Sequence, residues 1–202
     1  MVHHPYHYEY EPPVETYPRH RGCLELITGS MFSGKTEELI RRCRREMHAE
    51  RRVRVYKPVS DTRFHPNRVV AHEGEYLVAG PIPDEKPEQI LIGLPREVQV
   101  IGIDEAQFFA RTLVQVCTQL ADEGRRVIVA GLALDSRGKS FETVHDLFPE
   151  ADDIMVCKAV CFLCHEERAT RSKRLSPSPE RVKIGDDYQA RCRACFTVDR
   201  KE

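Results

Sequence analysis

The 202-residue sequence has no long uninterrupted run of apolar residues and almost no net charge. No stretch approaches the roughly 18 apolar residues of a membrane-spanning helix, so the sequence predicts no membrane partner. Residues 1–22 lack the apolar centre of a secretory signal peptide and are rich in histidine, tyrosine, proline and glutamate. We therefore expect residues 1–21 to form a disordered tail on a cytoplasmic protein.

The charge balance argues against one broad class of function. Lysine and arginine total 31 and aspartate and glutamate total 32, which gives a net charge of -1. General nucleic-acid binders are usually clearly basic, so we predict no nucleic-acid partner. A hydrophobic content of 41% and this length suit one full-sized domain with a small additional module.

Eight cysteines need an explanation other than disulfides, because the sequence shows no export signal. Cys23, Cys43 and Cys117 fall in strand and helix patterns and are predicted to be core residues. The other five crowd the last quarter of the chain and include two Cys-x-x-Cys pairs, Cys161 with Cys164 and Cys192 with Cys195.

These two pairs have the spacing of a structural zinc site with tetrahedral thiolate coordination. The 27 residues between them, 165–191, are predicted to project as a long loop that the metal holds at both ends. Four thiolates would leave no open position for catalysis by the metal. The alternatives are a set of free thiols, and a role for Cys157 as a bystander or a substitute ligand.

The segment 29–36 fits the phosphate-binding pattern G-x-x-x-x-G-K-[ST]. Residues 23–28 before it read as a strand, and Leu39, Ile40, Cys43 and Met47 after it fall on one helix face. Inward-pointing backbone N–H groups and the helix N-terminus would hold nucleotide phosphates. The predicted phosphate-binding residues are Gly29, Ser30, Met31, Phe32, Ser33, Gly34, Lys35 and Thr36.

Further strands and helices alternate along the chain. Strands are predicted at 52–56, 98–103, 126–130 and 153–157, and helices at 113–120 and near 88–92. This alternation predicts an α/β fold of the P-loop, RecA-like class, with a parallel sheet flanked by helices. We expect a nucleotide-binding domain over residues 22–156 and a zinc-binding module over 157–202.

Two acidic residues follow the buried strand 98–103. Asp104 stands where a carboxylate on a strand next to the phosphate loop would hold Mg²⁺ together with the Thr36 hydroxyl, while Lys35 neutralises the outer phosphates. Capping of a helix is the alternative for Asp104. If the strand continues, Glu105 points away from Asp104 and could accept a proton from an acceptor hydroxyl. Activation of water in an ATPase remains open for Glu105.

Four motifs occur together and in order: Thr28–Thr36, Asp61-Thr-Arg63, Asp104-Glu-Ala-Gln-Phe108 and the two cysteine pairs. In this combination the chain resembles the type II thymidine kinases of bacteria, poxviruses and animal cytosol over about residues 22–198. The resemblance implies transfer of the γ-phosphoryl group of ATP to the 5′-hydroxyl of thymidine. It also implies a homotetramer and feedback by thymidine triphosphate (dTTP).

The resemblance assigns roles to individual residues. It implies that Glu105 is the general base, that Lys35 and Thr36 bind phosphate and Mg²⁺, and that Arg63 reaches the phosphates from a flexible loop. The loop between the cysteine pairs becomes a lasso whose backbone amides read the pyrimidine edge. The implied nucleoside-binding residues are Met31, Asp61, Phe108, Leu132, Phe141, Ser172 and Tyr188.

Some positions depart from the family pattern, and other functions stay open. Ser136 stands where the family commonly has an aromatic residue, and Ser172 replaces the usual threonine. A deoxynucleoside kinase with another base preference, such as deoxyuridine, is therefore one alternative. A P-loop ATPase is a second, because 104–107 also resembles the acidic box of helicases. A zinc-knuckle nucleic-acid binder is a third, disfavoured by the charge and by the few aromatics near the knuckles.

Overall fold

The computed structural model describes residues 22–62, 65–71, 74–176 and 187–197. The predicted tail 1–21, Arg63 and most of the predicted lasso, 177–186, lie outside these described residues. None of the helices formed by the described residues has the length and apolar character that crossing a bilayer demands.

The described residues form twelve strands and three α-helices. The strands are β1 Cys23–Gly29, β2 Arg52–Pro58, β3 Arg68–Val70, β4 Tyr76–Val78, β5 Gly80–Ile82, β6 Val98–Ile103, β7 Arg126–Leu132, β8 Asp153–Cys157, β9 Ala159–Val160, β10 Glu167–Ala169, β11 Arg171–Arg174 and β12 Tyr188–Arg191. The helices are α1 Lys35–His48, α2 Leu113–Asp122 and α3 Glu142–Leu147, with 3-10 turns at Pro87–Leu91 and Ala106–Phe108.

Six strands form one parallel sheet in the order β5-β2-β6-β7-β1-β8. The carboxyl ends of parallel strands share one edge, which is where ligands bind in open α/β sheets. The phosphate loop follows β1 and the two acidic residues follow β6, so both lie at this edge. The predicted α/β class with a parallel sheet is confirmed.

The two faces of the sheet carry different helices because successive strand residues point to opposite sides. Leu24 and Leu26 of β1 belong to the apolar layer beneath α2 and α3, whereas Ile27 belongs to the layer beneath α1. Leu39, Ile40 and Cys43 of α1 are buried as predicted, but Met47 is 42% exposed. Met47 continues the same face by helical spacing but lies in the last turn of α1, beyond the apolar layer.

A network of ion pairs fastens α1 to the sheet. Glu25, on β1 between Leu24 and Leu26, accepts hydrogen bonds from Arg42 Nη1 of α1 and Arg126 Nε of β7, each at 2.5 Å. Arg126 also pairs with Glu46 of α1. Burial alone would raise the pKa of Glu25, but the hydrogen bonds from both arginines outweigh it and hold that pKa below its usual value.

Several sequence expectations need correction. β6 is not next to β1, because β7 lies between them. The helix expected near 88–92 is the 3-10 turn Pro87–Leu91, and β3 at Arg68–Val70 is a strand that the sequence analysis did not predict. β3 pairs with β4 as a short antiparallel ribbon, which a three-residue strand is too brief to reveal by alternation.

The C-terminal module has its own small core. β9 pairs with β10 and β11 pairs with β12, both antiparallel, around buried Ala159, Cys161, Ala169, Ala190 and Cys192. The expectation of one long loop between the cysteine pairs was therefore wrong for the strands β10, β11 and β12. Polar and charged residues fill these short strands, so the sequence shows no hydrophobic alternation there.

Candidate active site

The phosphate loop is shaped by its two glycines. Gly29 has φ 152°, and a Cβ atom there would lie 2.3 Å from the carbonyl oxygen of Cys157 on β8. Gly34 has φ 81°, the left-handed conformation that precedes α1. Within the loop, the Ser33 hydroxyl donates to the Ser30 carbonyl at 2.8 Å. The backbone thus turns into the N-terminus of α1, as the motif predicts.

Lys35, Thr36 and Asp104 meet at the start of α1. Lys35 is buried and its Nζ donates to the Ser30 carbonyl at 2.6 Å, while Thr36 Oγ1 donates to Asp104 Oδ2 at 3.1 Å. Thr36 can contact Asp104, just after β6, because α1 packs across β1, β7, β6 and β2. A hydroxyl and a carboxylate are the hard oxygen donors that Mg²⁺ prefers, so these two residues fit that ion.

Glu105 leaves the strand direction. β6 ends at Ile103, and Glu105 has φ 52°, an uncommon left-handed conformation for a residue with a side chain. Glu105 was expected to point away from Asp104 only if the strand continued through it, and the strand does not continue. Both carboxylates are buried and line the same cavity as the phosphate loop. Capping by Asp104 of a regular helix does not occur, because a 3-10 turn follows.

Gln107 contacts Glu105 and was not singled out by the sequence analysis. Its Nε2 donates to Glu105 Oε2, and its Oε1 accepts from the backbone N–H of Leu132 at 2.9 Å. The Gln107 side chain is buried. The residue lies inside the motif 104–108, but only its two contacts reveal a role, since neither periodicity nor charge marks a glutamine.

Lys57 is a second residue that sequence reasoning missed. Its side chain is fully buried, with 1% exposure of the residue, and lines the cavity from the end of β2. Nζ pairs with Asp61 Oδ2 at 2.9 Å and donates to the carbonyls of His65 and Arg68 at 3.0 and 3.2 Å. Three ammonium protons thus tie Asp61, His65 and Arg68 to the end of β2. No apolar alternation or motif marks this lysine.

The predicted residues fall into two groups. Met31, Asp61 and Leu132 line the cavity together with Asp104 and Glu105. Phe108, Phe141, Ser172 and Tyr188 are not among its lining residues. Phe141 is buried in the core beneath α2 and α3, and Phe108 is half-buried.

Tyr188 lines a groove other than the phosphate cavity. It is buried, its hydroxyl accepts from Arg174 Nε at 3.2 Å, and it lines a groove with Phe32, Val160 and Leu175. Phe32 lines both this groove and the phosphate cavity, so the two are neighbours. The residues of the predicted lasso that would follow Leu175 and Ser176 are outside the described ranges.

The C-terminal module contacts the phosphate loop directly. Ser30 Oγ donates to the Ala169 carbonyl at 3.2 Å, and the Met31 backbone N–H donates to Ser172 Oγ at 2.9 Å. Ser172 is buried. Its hydroxyl is thus a ligand of the loop backbone, and a threonine would keep this oxygen.

The four paired cysteines converge. Their sulfur atoms all lie within 4.8 Å of one another, and Cys164 Sγ and Cys192 Sγ are 3.8 Å apart. A tetrahedron with metal–sulfur bonds of about 2.3 Å has edges of about 3.8 Å, so the donor set fits Zn²⁺. Cys157 is not part of this cluster.

The thiols differ in acidity. The backbone N–H of Cys164 hydrogen-bonds the Cys161 sulfur and lowers the pKa of that thiol to about 6, which favours the thiolate that binds metal. Burial raises the pKa of Cys43 to about 12 and also raises the pKa of Cys117 and Cys157. All eight cysteines are free of disulfides.

Comparisons with known proteins agree with this geometry. A family model described as thymidine kinase matches residues 22–196. A protein named thymidine kinase from Rhodothermus sp. (strain ITI 518) is 44% identical over 94% of this chain and 88% of its own. Proteins with the same name from Bacteroides thetaiotaomicron and Bdellovibrio bacteriovorus are 42% and 43% identical, over 91% and 90% of this chain and 92% and 88% of theirs. This chain therefore belongs to the thymidine kinase family.

Proposed function

We propose that the protein transfers the γ-phosphoryl group of ATP to the 5′-hydroxyl of thymidine. The observation that carries this function is the meeting of Lys35, Thr36, Asp104 and Glu105 around one cavity in a chain of this family. A phosphate loop alone would serve any nucleotide hydrolase. A second buried carboxylate beside the metal-binding pair supplies a base for an alcohol.

The loop residues Gly29 to Thr36 bind the phosphates and neutralise their charge. Lys35 would neutralise the outer phosphates, and Thr36 and Asp104 would hold Mg²⁺. When bound, the ion would offset charge on the transferring group. Arg63 remains a proposed phosphate contact by the resemblance.

Glu105 accepts the proton of the 5′-hydroxyl as the phosphoryl group transfers. The new bond joins the 5′-oxygen to the γ-phosphorus, and the bond from that phosphorus to the β–γ bridging oxygen breaks, so ADP leaves with that electron pair. Because the transition state is loose, the proton can leave late, and the alcohol need not ionise beforehand.

Nucleoside binding is proposed for two sets of residues. Met31, Asp61 and Leu132 are supported by their position around the cavity. Phe108, Phe141, Ser172 and Tyr188 rest on the resemblance, and Tyr188 lines the groove that shares Phe32 with the cavity. We keep residues 22–156 as the nucleotide-binding domain and 157–202 as a substrate module in which Cys161, Cys164, Cys192 and Cys195 hold a structural zinc ion.

A nucleoside panel with γ-labelled ATP tests the proposed activity. We expect labelled product with thymidine and a kcat/KM about tenfold lower with deoxyuridine, since one methyl group is worth about 10–200-fold in such pockets. A preference for deoxyuridine would support the alternative base specificity. ATP turnover that does not depend on a nucleoside would instead support the ATPase.

Assembly into a homotetramer is part of the proposal, with the edge of the sheet as one contact. β8 has no neighbour beyond it among the described strands, and Ile154, Met155 and Val156 are exposed there. Such an edge favours pairing with a second copy. Feedback by dTTP rests on the resemblance alone. A cytoplasmic location rests on the resemblance and agrees with the free cysteines.

Val156→Lys should lower the mass measured by analytical ultracentrifugation from four chains to a smaller species, because a charge would enter the contact. Val78→Lys is the matched control, since Val78 is exposed on β4, outside the central sheet. A Val156→Lys variant of unchanged mass would exclude β8 from the interface.

A further inference from the structure

We infer that Gln107 is a positioning residue that fixes the carboxylate of Glu105 for proton acceptance. This inference rests on the proposed function, because it gives Glu105 the role of the base. Gln107 is buried within the 3-10 turn Ala106–Phe108 and bridges that turn to the end of β7.

The backbone of β7 determines which way the Gln107 amide faces. The Leu132 N–H can only donate, so the atom that meets it at 2.9 Å must be the carbonyl oxygen Oε1. The amide nitrogen Nε2 is then turned toward Glu105 Oε2, to which it donates. The glutamine therefore presents a donor to the carboxylate and could not present an acceptor without losing Leu132.

The surroundings leave this amide little freedom. A Cβ atom on Gly131 would lie 3.1 Å from Ala106 Cβ and 3.3 Å from Gln107 Oε1, so the glycine allows the turn to approach β7. Both partners of Gln107 line the phosphate cavity, Glu105 from the turn and Leu132 from the strand. A single amide thus links the orientation of the Glu105 carboxylate to Leu132, one of the proposed nucleoside-binding residues.

Proton transfer from the 5′-hydroxyl requires that the Glu105 carboxylate be aligned with that hydroxyl. Glu105 stands in a left-handed conformation just after β6 ends, and the Gln107 amide donates a hydrogen bond directly to its carboxylate. Loss of alignment by about 1 Å can lower a rate by about 10²-fold. Gln107 is not among the residues that line the cavity at the phosphate loop, so we expect ATP binding to persist without it.

The test compares two variants at position 107 with a matched surface glutamine. Gln107→Glu keeps the volume and the acceptor for the Leu132 N–H but turns a carboxylate toward Glu105. Gln107→Met removes both hydrogen bonds. Gln119→Glu is the control, because Gln119 Nε2 also donates to a glutamate, Glu123, at 2.9 Å on the exposed face of α2.

Thymidine and ATP are titrated in steady-state assays, with rates normalised to thymidine-binding sites counted by calorimetry. We expect Gln107→Glu to lower kcat by about 10²-fold with both KM values within about threefold of the unmodified protein. Gln107→Met should lower kcat similarly and also raise the KM for thymidine, since Leu132 loses its partner. Gln119→Glu should match the unmodified protein.

Retention of kcat by Gln107→Glu, or by Gln107→Met if the first variant does not fold, would overturn the inference. So would a fall in melting temperature and a rise in both KM values at unchanged kcat per site, which would indicate a merely structural residue. Failure of the proposed function is recognised separately, because the unmodified protein and Gln119→Glu would then both fail to phosphorylate thymidine.

Discussion

Glu105→Gln is expected to lower kcat for thymidine phosphorylation by about 10²–10⁴-fold, the usual contribution of a general base. The amide has nearly the same shape as the carboxylate but cannot accept the proton of the 5′-hydroxyl. ATP binding should persist, because Lys35 and Thr36 remain in place. The measurements are single-turnover transfer from labelled ATP to thymidine and calorimetric titration with ATP.

Glu123→Gln provides the control for the loss of a glutamate charge. Glu123 is exposed and pairs only locally with Arg125 and Gln119 among the described contacts, so full activity is expected. A Glu105→Gln variant within tenfold of the unmodified protein would remove Glu105 from the role of base. Equal loss of ATP affinity and kcat would point to a phosphate-binding role instead.

Cys192→Ser is expected to abolish zinc binding and, with it, most activity. Few buried apolar residues support the C-terminal module, so the metal must supply much of its stability. Structural zinc contributes about 10–16 kcal/mol in small zinc-binding peptides. The module holds the phosphate loop through the Ser30 and Met31 hydrogen bonds, so its loss should also reach the nucleotide site.

Zinc content per chain, measured by mass spectrometry, and the melting temperature test this expectation together. Cys23→Ser is the matched control, because Cys23 is half-buried on β1 and lies outside the sulfur cluster. It should retain one zinc ion per chain. One zinc ion bound to Cys192→Ser would show that three thiolates suffice or that Cys157 substitutes.

The sequence was sufficient to predict the parts of the fold that follow from strong local patterns. The strand before the phosphate loop, the apolar run 98–103 and the face of α1 all have clear periodicity, and each was found where expected. The cysteine cluster was also predictable, since two short spacings restrict where the thiols can meet.

Other features depend on contacts distant in sequence, so local patterns could not reveal them. Insertion of β7 between β1 and β6 is a matter of strand order, which periodicity does not encode. The left-handed turn at Glu105 breaks the alternation on which its side-chain direction was predicted. Lys57 and Gln107 join residues from separate elements, and the strands β10 to β12 are too short and too polar to be read.

The ion pairs of Glu25 have a consequence for how the chain finds its fold. Neighbouring strands rich in valine and isoleucine could associate in several alignments, and a slip of one residue inverts every side chain. A slipped β1 would carry Glu25 into the apolar layer under α2 and leave Arg126 without its carboxylate partner, and burying a carboxylate away from its partner is unfavourable. One acidic residue between two leucines thus penalises misaligned assembly before any nucleotide arrives.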